Sequence, residues 1–147
     1  MKKFELTSEF ITNIFGTKLF RIKALIEFGN VKAGELGGFV EKEENLNHEG
    51  NAWVYGNAWV CGDARVCGDA RVYGNADYAT VHGFGSEYRT TTFFKTKAGE
   101  IGVRCGCFYG NLSEFRKKVV ETHGETKKAK EYLMLADLME FRFSDNS

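Results

Sequence analysis

Glycine recurs every six residues at Gly50, Gly56, Gly62, Gly68 and Gly74, and the segments that follow read NAWVY, NAWVC, DARVC, DARVY and NADYA. A fixed internal period constrains architecture more than any composition can. Each hexad places Asn or Asp after the Gly, then Ala (Ala52, Ala58, Ala64, Ala70, Ala76), a variable residue, and Val (Val54, Val60, Val66, Val72), with Tyr78 in the last Val place. Glycine permits corner dihedrals closed to other residues, and Asn or Asp favours turns. Ala and Val are two apart, so in an extended segment they share one face, which we assign to the interior. A helix would need apolar spacings of three and four. The pattern therefore predicts a parallel β-helix with one short strand and one corner per hexad.

Composition sets the outer limits. A chain of 147 residues suits one domain, or one solenoid with decorated ends. Twenty basic and twenty acidic residues cancel, so no bulk attraction to nucleic acid or to an anionic membrane is expected. No apolar run reaches the roughly eighteen residues of a membrane span. The opening MKKFELTSEF has no apolar signal region, which predicts a cytoplasmic protein. Cys61 and Cys67 hold equivalent places in successive hexads, which should point apart, and Cys105 and Cys107 flank Gly106. Reduced thiols are expected in such a compartment. The spacing does not suit zinc, and His48, His82 and His123 are scattered, so neither metal nor cofactor is expected.

Three regions follow. Residues 1–37 read as an N-terminal β cap, with FELTSEFIT and KLFRIKALIEF as strands around a turn near Phe15-Gly16-Thr17. Residues 38–82 hold the hexads, with Val40 and Leu46 keeping the register loosely ahead of Ala52. Residues 83–147 read as a hairpin and two helices. Tyr88–Phe94 is rich in β-formers, Ala98-Gly99 marks a turn, and Ile101–Tyr109 returns. Ser113 is the expected N-cap and Gly124 the expected stop of the first helix. The second should run from about Thr126 to Phe141, and the tail from Ser144 should fray.

In a three-hexad coil, residues eighteen apart stack. Trp53 is then expected over Arg71, Tyr55 over Tyr73, and Trp59 over Asp77. An exposed Trp–Arg stack is worth about 0.5–1 kcal/mol and can hold a flat base beside a phosphate. Trp53, Trp59, Arg65, Arg71, Tyr73, Arg89 and Thr91 are accordingly the candidate ligand-binding residues, the last two from the run Arg89-Thr90-Thr91-Thr92. The same aromatic and arginine types anchor protein interfaces or simply coat a repeat.

Enzyme chemistry has thinner support. Hexapeptide acyltransferases use a His as general base, for which His82 is the best candidate and His48 the next. The hexads themselves contain no His, so a three-His metal site is not expected. Nucleophile, phosphate-loop and paired-carboxylate motifs are lacking. A non-catalytic protein is the expectation.

The hexads GNAWVYGNAWVCGDARVCGDARVYGNA resemble bacterial and bacteriophage hexapeptide-repeat proteins. With LFRIKAL, VKAGELGGFVEKEENL, RTTTFF, CGCFYGNLSEF, ETHG and AKEYLMLADLMEF, most of the chain resembles a group of small phage and prophage proteins. The resemblance implies a left-handed β-helix. It also implies a phage accessory role against host defence, in the host cytoplasm, but carries over no functional residue. Three readings follow: capture of a nucleotide-like anionic signal, inhibition of a host defence complex by protein binding (anti-CRISPR-like), and acyl transfer through His82. The shortness of the repeat and the abundance of aromatic residues predict a homo-oligomer.

Overall fold

The computed structural model describes residues 2–85 and 89–144. Their order is β1 (Phe4–Thr12), β2 (Lys18–Ala24), β3 (Leu36–Val40), β4 (Trp53–Val54), β5 (Trp59–Val60), β6 (Arg71–Val72), β7 (Tyr78–Phe84), β8 (Arg89–Lys95), β9 (Ile101–Cys105), β10 (Phe108–Asn111), α1 (Leu112–His123) and α2 (Lys127–Arg142). The strands form three separate sheets, ordered β1-β2-β3-β5, β10-β9-β8-β7 and β4-β6.

This corrects the expected left-handed parallel β-helix, because among the described residues no sheet closes on itself or winds through the hexads. The hexads pair in parallel, Trp53 with Arg71 and Val54 with Val72, and Phe39 with Trp59 and Val40 with Val60. Leu46 and Val66 meet only in an isolated bridge. Two physical reasons stand out. Each of the strands β4, β5 and β6 is two residues long, too short to propagate a ladder. The free edge of β3 is taken by β2 in antiparallel sense, which ends parallel growth there. The corners follow the expected grammar, with positive φ at Gly50, Gly56, Gly62 and Gly68.

Inside, Ala52, Ala58, Ala64 and Ala70 and Val54, Val60, Val66 and Val72 are all buried in one core. The backbone carbonyls at one end of the hexads are met by side chains. Lys3 Nζ donates to Gly50 O (3.3 Å) and Ala52 O (2.7 Å). Asn45 Nδ2 does the same at the equivalent Gly62 O (3.1 Å) and Ala64 O (2.9 Å). Arg21 reaches Gly56 O at 3.3 Å, between them in sequence. Three successive hexad glycines thus have their carbonyls satisfied by three donors from residues 3 to 45. The bonds to Ala52 O and Ala64 O are buried, where carbonyls left without partners would be costly.

The second core lies between the larger antiparallel sheet and the helices, and gathers Phe93, Val103, Phe115, Val119, Tyr132, Ala136 and Met139. Strand β8 divides the two cores, for Phe94 belongs to the hexad core and Phe93 to the helical one. Helix α1 begins two residues earlier than the expected Ser113 cap. Asn111 Oδ1 accepts from Glu114 N (2.8 Å), and Glu114 Oε1 accepts from Asn111 N (2.9 Å). That reciprocal pair satisfies two end groups at once. Thr126 caps α2. Tyr88, assigned to the β8 strand from sequence, lies outside the described residues, as does the tail from Asp145. No helix among the described residues is long and apolar enough to cross a membrane.

Candidate functional site

The residues expected on the outer face of the hexads separate in the structure. Trp53 pairs with Arg71 along the backbone, but its ring is wholly buried, edge-on to Phe28 (5.2 Å) and Phe4 (6.3 Å). Its indole nitrogen has no hydrogen-bond partner among the described residues. Trp53 therefore faces the core, because the N-terminal segment folds over that side. Tyr73 is exposed and stacks on Tyr55 with centroids 4.4 Å apart. The half-buried Arg71 lies 3.5 Å from the Tyr73 hydroxyl. Trp59, also half-buried, lies beside Phe39 in register. The Asp77 carboxylate is held elsewhere, accepting from Tyr73 N (2.9 Å) and Gly74 N (3.1 Å). Thr91 is fully buried and points to the helical side, donating to Cys105 Sγ at 3.2 Å.

The register of the larger sheet assembles a different constellation. His82 pairs with Thr90, and Thr92 pairs with both Thr80 and Arg104. Directly opposed residues share a face, so His82, Thr90, Thr92 and Arg104 line one side of the sheet. That side faces the hexads, where Thr92 Oγ1 accepts from Arg65 N at 3.0 Å. Between them opens a cavity of about 410 Å³ lined by Asp63, Arg65, Arg89, Thr90, Thr92 and Arg104, with Gly106. Arg65 and Arg104 continue into a neighbouring cavity of about 470 Å³, where Glu43, Glu44 and Glu49 stand beside Lys2 and His48.

Local chemistry explains the placement. Arg104 Nε donates to Gly106 O (2.8 Å), which holds the side chain along the β9–β10 turn. Gly106 has φ of +58, and a Cβ there would collide with the Arg89 guanidinium. Its lack of a side chain lets Arg89 lie across the turn. Thr90 Oγ1 is 2.8 Å from His82 Nδ1. Asp63 does not neutralise the cleft. Its carboxylate lies 3.1 Å from Lys42 Nζ, and that hydrogen bond holds it below the usual carboxylate range, His82 and Arg65 adding smaller pulls. Among the described residues no carboxylate lies within ion-pair distance of Arg65 or Arg104. The cleft thus presents three guanidinium groups with a partly committed acid, an arrangement suited to a multiply charged anion with planar oxygen faces.

On the other side of the sheet lies a recess of about 320 Å³ that includes Cys105, Cys107, Phe108, Phe115, His123 and Tyr132, and shares Arg89 with the cleft. Tyr132 donates to Phe84 O at 3.0 Å. Burial, reinforced by the Cys105 thiol, pushes its hydroxyl up to about 12. Cys67, under Arg104, is also held above the ordinary thiol value, chiefly by burial.

Of the expected site residues, the structure brings Arg65 and Arg89 together, and leaves Trp53, Trp59, Arg71, Tyr73 and Thr91 outside the cleft. Arg104, Thr90 and Thr92 complete it. A usable signal for Arg104 existed. Counting outward from a three-residue turn, Lys97 to Gly99, closed by Thr96 and Glu100, sets Arg104 opposite Thr92, whereas a two-residue Ala98-Gly99 turn would have set Cys105 there. No protein-family model and no curated protein matches this chain.

Proposed function

We propose that this protein is a non-catalytic binding protein that captures a nucleotide-like anion through its phosphates in the Arg65–Arg89–Arg104 cleft. One observation carries the reading: three arginines from three separate segments line a single 410 Å³ cavity with the Thr90 hydroxyl among them. Guanidinium groups bind phosphate oxygens in pairs, and several in one cleft favour a ligand with more than one phosphate. The resemblance to phage accessory proteins makes a host defence signal the physiological candidate. Titration calorimetry with inorganic triphosphate at two salt concentrations tests it. Binding should weaken as salt rises and should fall at least tenfold in Arg104→Ala, with the melting temperature little changed. Absence of triphosphate binding by the wild-type chain refutes the reading.

A second observation favours protein binding. The β1–β2 turn carries Ile14 and Phe15, 93% and 85% exposed. Adjacent exposed apolar side chains on a projecting turn suit a protein partner, such as a host defence complex or a second copy. Retention of a partner by wild type but not by Ile14→Ser/Phe15→Ser would favour inhibition by contact. The acyl-transfer alternative rests on His82, which here is tethered to Thr90. Acyl-donor turnover lost in His82→Ala would be needed to revive it.

A further inference from the structure

We infer that the recess on the helical side of the sheet seats the heterocycle of the same ligand, so that the protein takes a nucleoside phosphate and not a bare polyphosphate. This rests on the phosphate-binding reading of the cleft and extends it around the end of the sheet. Arg89 lines both cavities, and Gly106, at the β9–β10 turn beneath it, lines the cleft. One arginine shared between an anionic site and an aromatic one fits a molecule with its charge and its ring a few bonds apart.

The recess has the chemistry for a flat ring. Phe115 meets Tyr132 edge-on at 5.6 Å, Phe108 tilts against Phe115 at 5.8 Å, and His123 stacks near Tyr132 at 5.9 Å. Phe115 and Tyr132 are buried and form the floor of the recess, and the half-buried Phe108 and His123 leave ring surface on which a base can stack. Gly85 belongs to the same design, since a Cβ there would strike the Tyr132 hydroxyl. At the mouth, Lys118, Thr122 and Cys107 supply polar groups able to read a base edge. The volume of about 320 Å³ lies at the small end of ligand pockets, enough for a heterocycle whose phosphates remain outside.

The test compares inorganic triphosphate with ATP, GTP, CTP and UTP by calorimetry on the full chain. At least one nucleotide should bind about tenfold or more tightly than triphosphate. Val119→Trp, which fills the recess, should remove that advantage and leave triphosphate binding intact. Because Val119 is buried and the variant can fail to fold, a second measurement uses the unaltered protein. Alkylation of the exposed Cys107, read by peptide mapping, should be slowed by the preferred nucleotide and not by triphosphate. Equal affinity for triphosphate and all four nucleotides, or no protection of Cys107, overturns the inference while leaving the cleft reading standing. Failure of triphosphate and nucleotides alike overturns both.

Discussion

The two ends of the hexad stack are closed by different means. At one end Lys3 and Asn45, both buried to within 1% of full coverage, drive side-chain donors into equivalent pairs of backbone carbonyls. Arg21 adds a third, its guanidinium lying over the Phe39 ring at 4.3 Å. At the other end the hexads meet a sheet at scattered points. Thr92 Oγ1 accepts from Arg65 N, and Lys97 N donates to Asp69 O. The first closure is satisfied, and its bonds to Ala52 O and Ala64 O are buried. The second leaves space, and charged side chains line it. Residues at the sealed end should therefore govern stability, and those at the open end binding.

The sharpest way to break this contrast is through Lys3. Burial lowers its ammonium from 10.5 to about 8. Below the folded value both states are protonated and the fold carries the full cost of a buried charge. Between about 8 and 10.5 the unfolded chain binds the extra proton, so stability rises with pH, by up to about 3 kcal/mol over the window. Tyr78 and Tyr132 act in the opposite sense. Burial raises both to about 12, so their contribution is present below pH 10 and lost as pH climbs towards 12. Urea unfolding from pH 7.5 to 10 should show wild type gaining stability relative to Lys3→Met. Parallel curves for the two proteins would show that Lys3 is not titrating in the interior.

A smaller effect is expected at Asn45. Asn45→Ala leaves Gly62 O and Ala64 O without their donor and should cost about 1–3 kcal/mol, measured by the urea midpoint at constant slope. A loss below about 0.5 kcal/mol would mean that water reaches these carbonyls, and the sealed end would not be sealed.

The same contrast explains what the sequence made legible. The hexad interior could be read because Ala and Val repeat at a fixed local spacing, and each burial decision is made within six residues. The Tyr55–Tyr73 stack was likewise available from spacing alone. That the hexads would not wind into a closed coil was not legible, since it depends on how far two-residue strands propagate and on β2 pairing with β3. Trp53 looked like an outer residue because its hexad place alternates away from Ala and Val. It is buried by Phe4 and Phe28, which are distant in sequence. The cleft was half legible. Arg65 and Arg89 stood out by type, whereas Arg104 is set beside them by hairpin register. Ser113 competes with Asn111 for the cap of α1, and only the Glu114 partner three residues after Asn111 decides between them.

The smallest stability effect is expected at the open end, and it divides the molecule most cleanly. Arg65 is exposed and Arg104 half-buried, and neither is ion-paired among the described residues. Arg65→Ala should leave the Arg65 backbone bond to Thr92 in place, because that bond uses the main-chain N–H. Its unfolding free energy should therefore change by no more than about 0.5 kcal/mol. Asp63 attracts Arg65 while Arg104 repels it, so the two effects oppose and no large change in stability is expected. Phosphate binding should fall at the same time, and its salt dependence should become shallower as one cationic contact is lost. A clear loss of stability in Arg65→Ala, with binding unchanged, would place this arginine among the structural closures and erase the difference between the two ends.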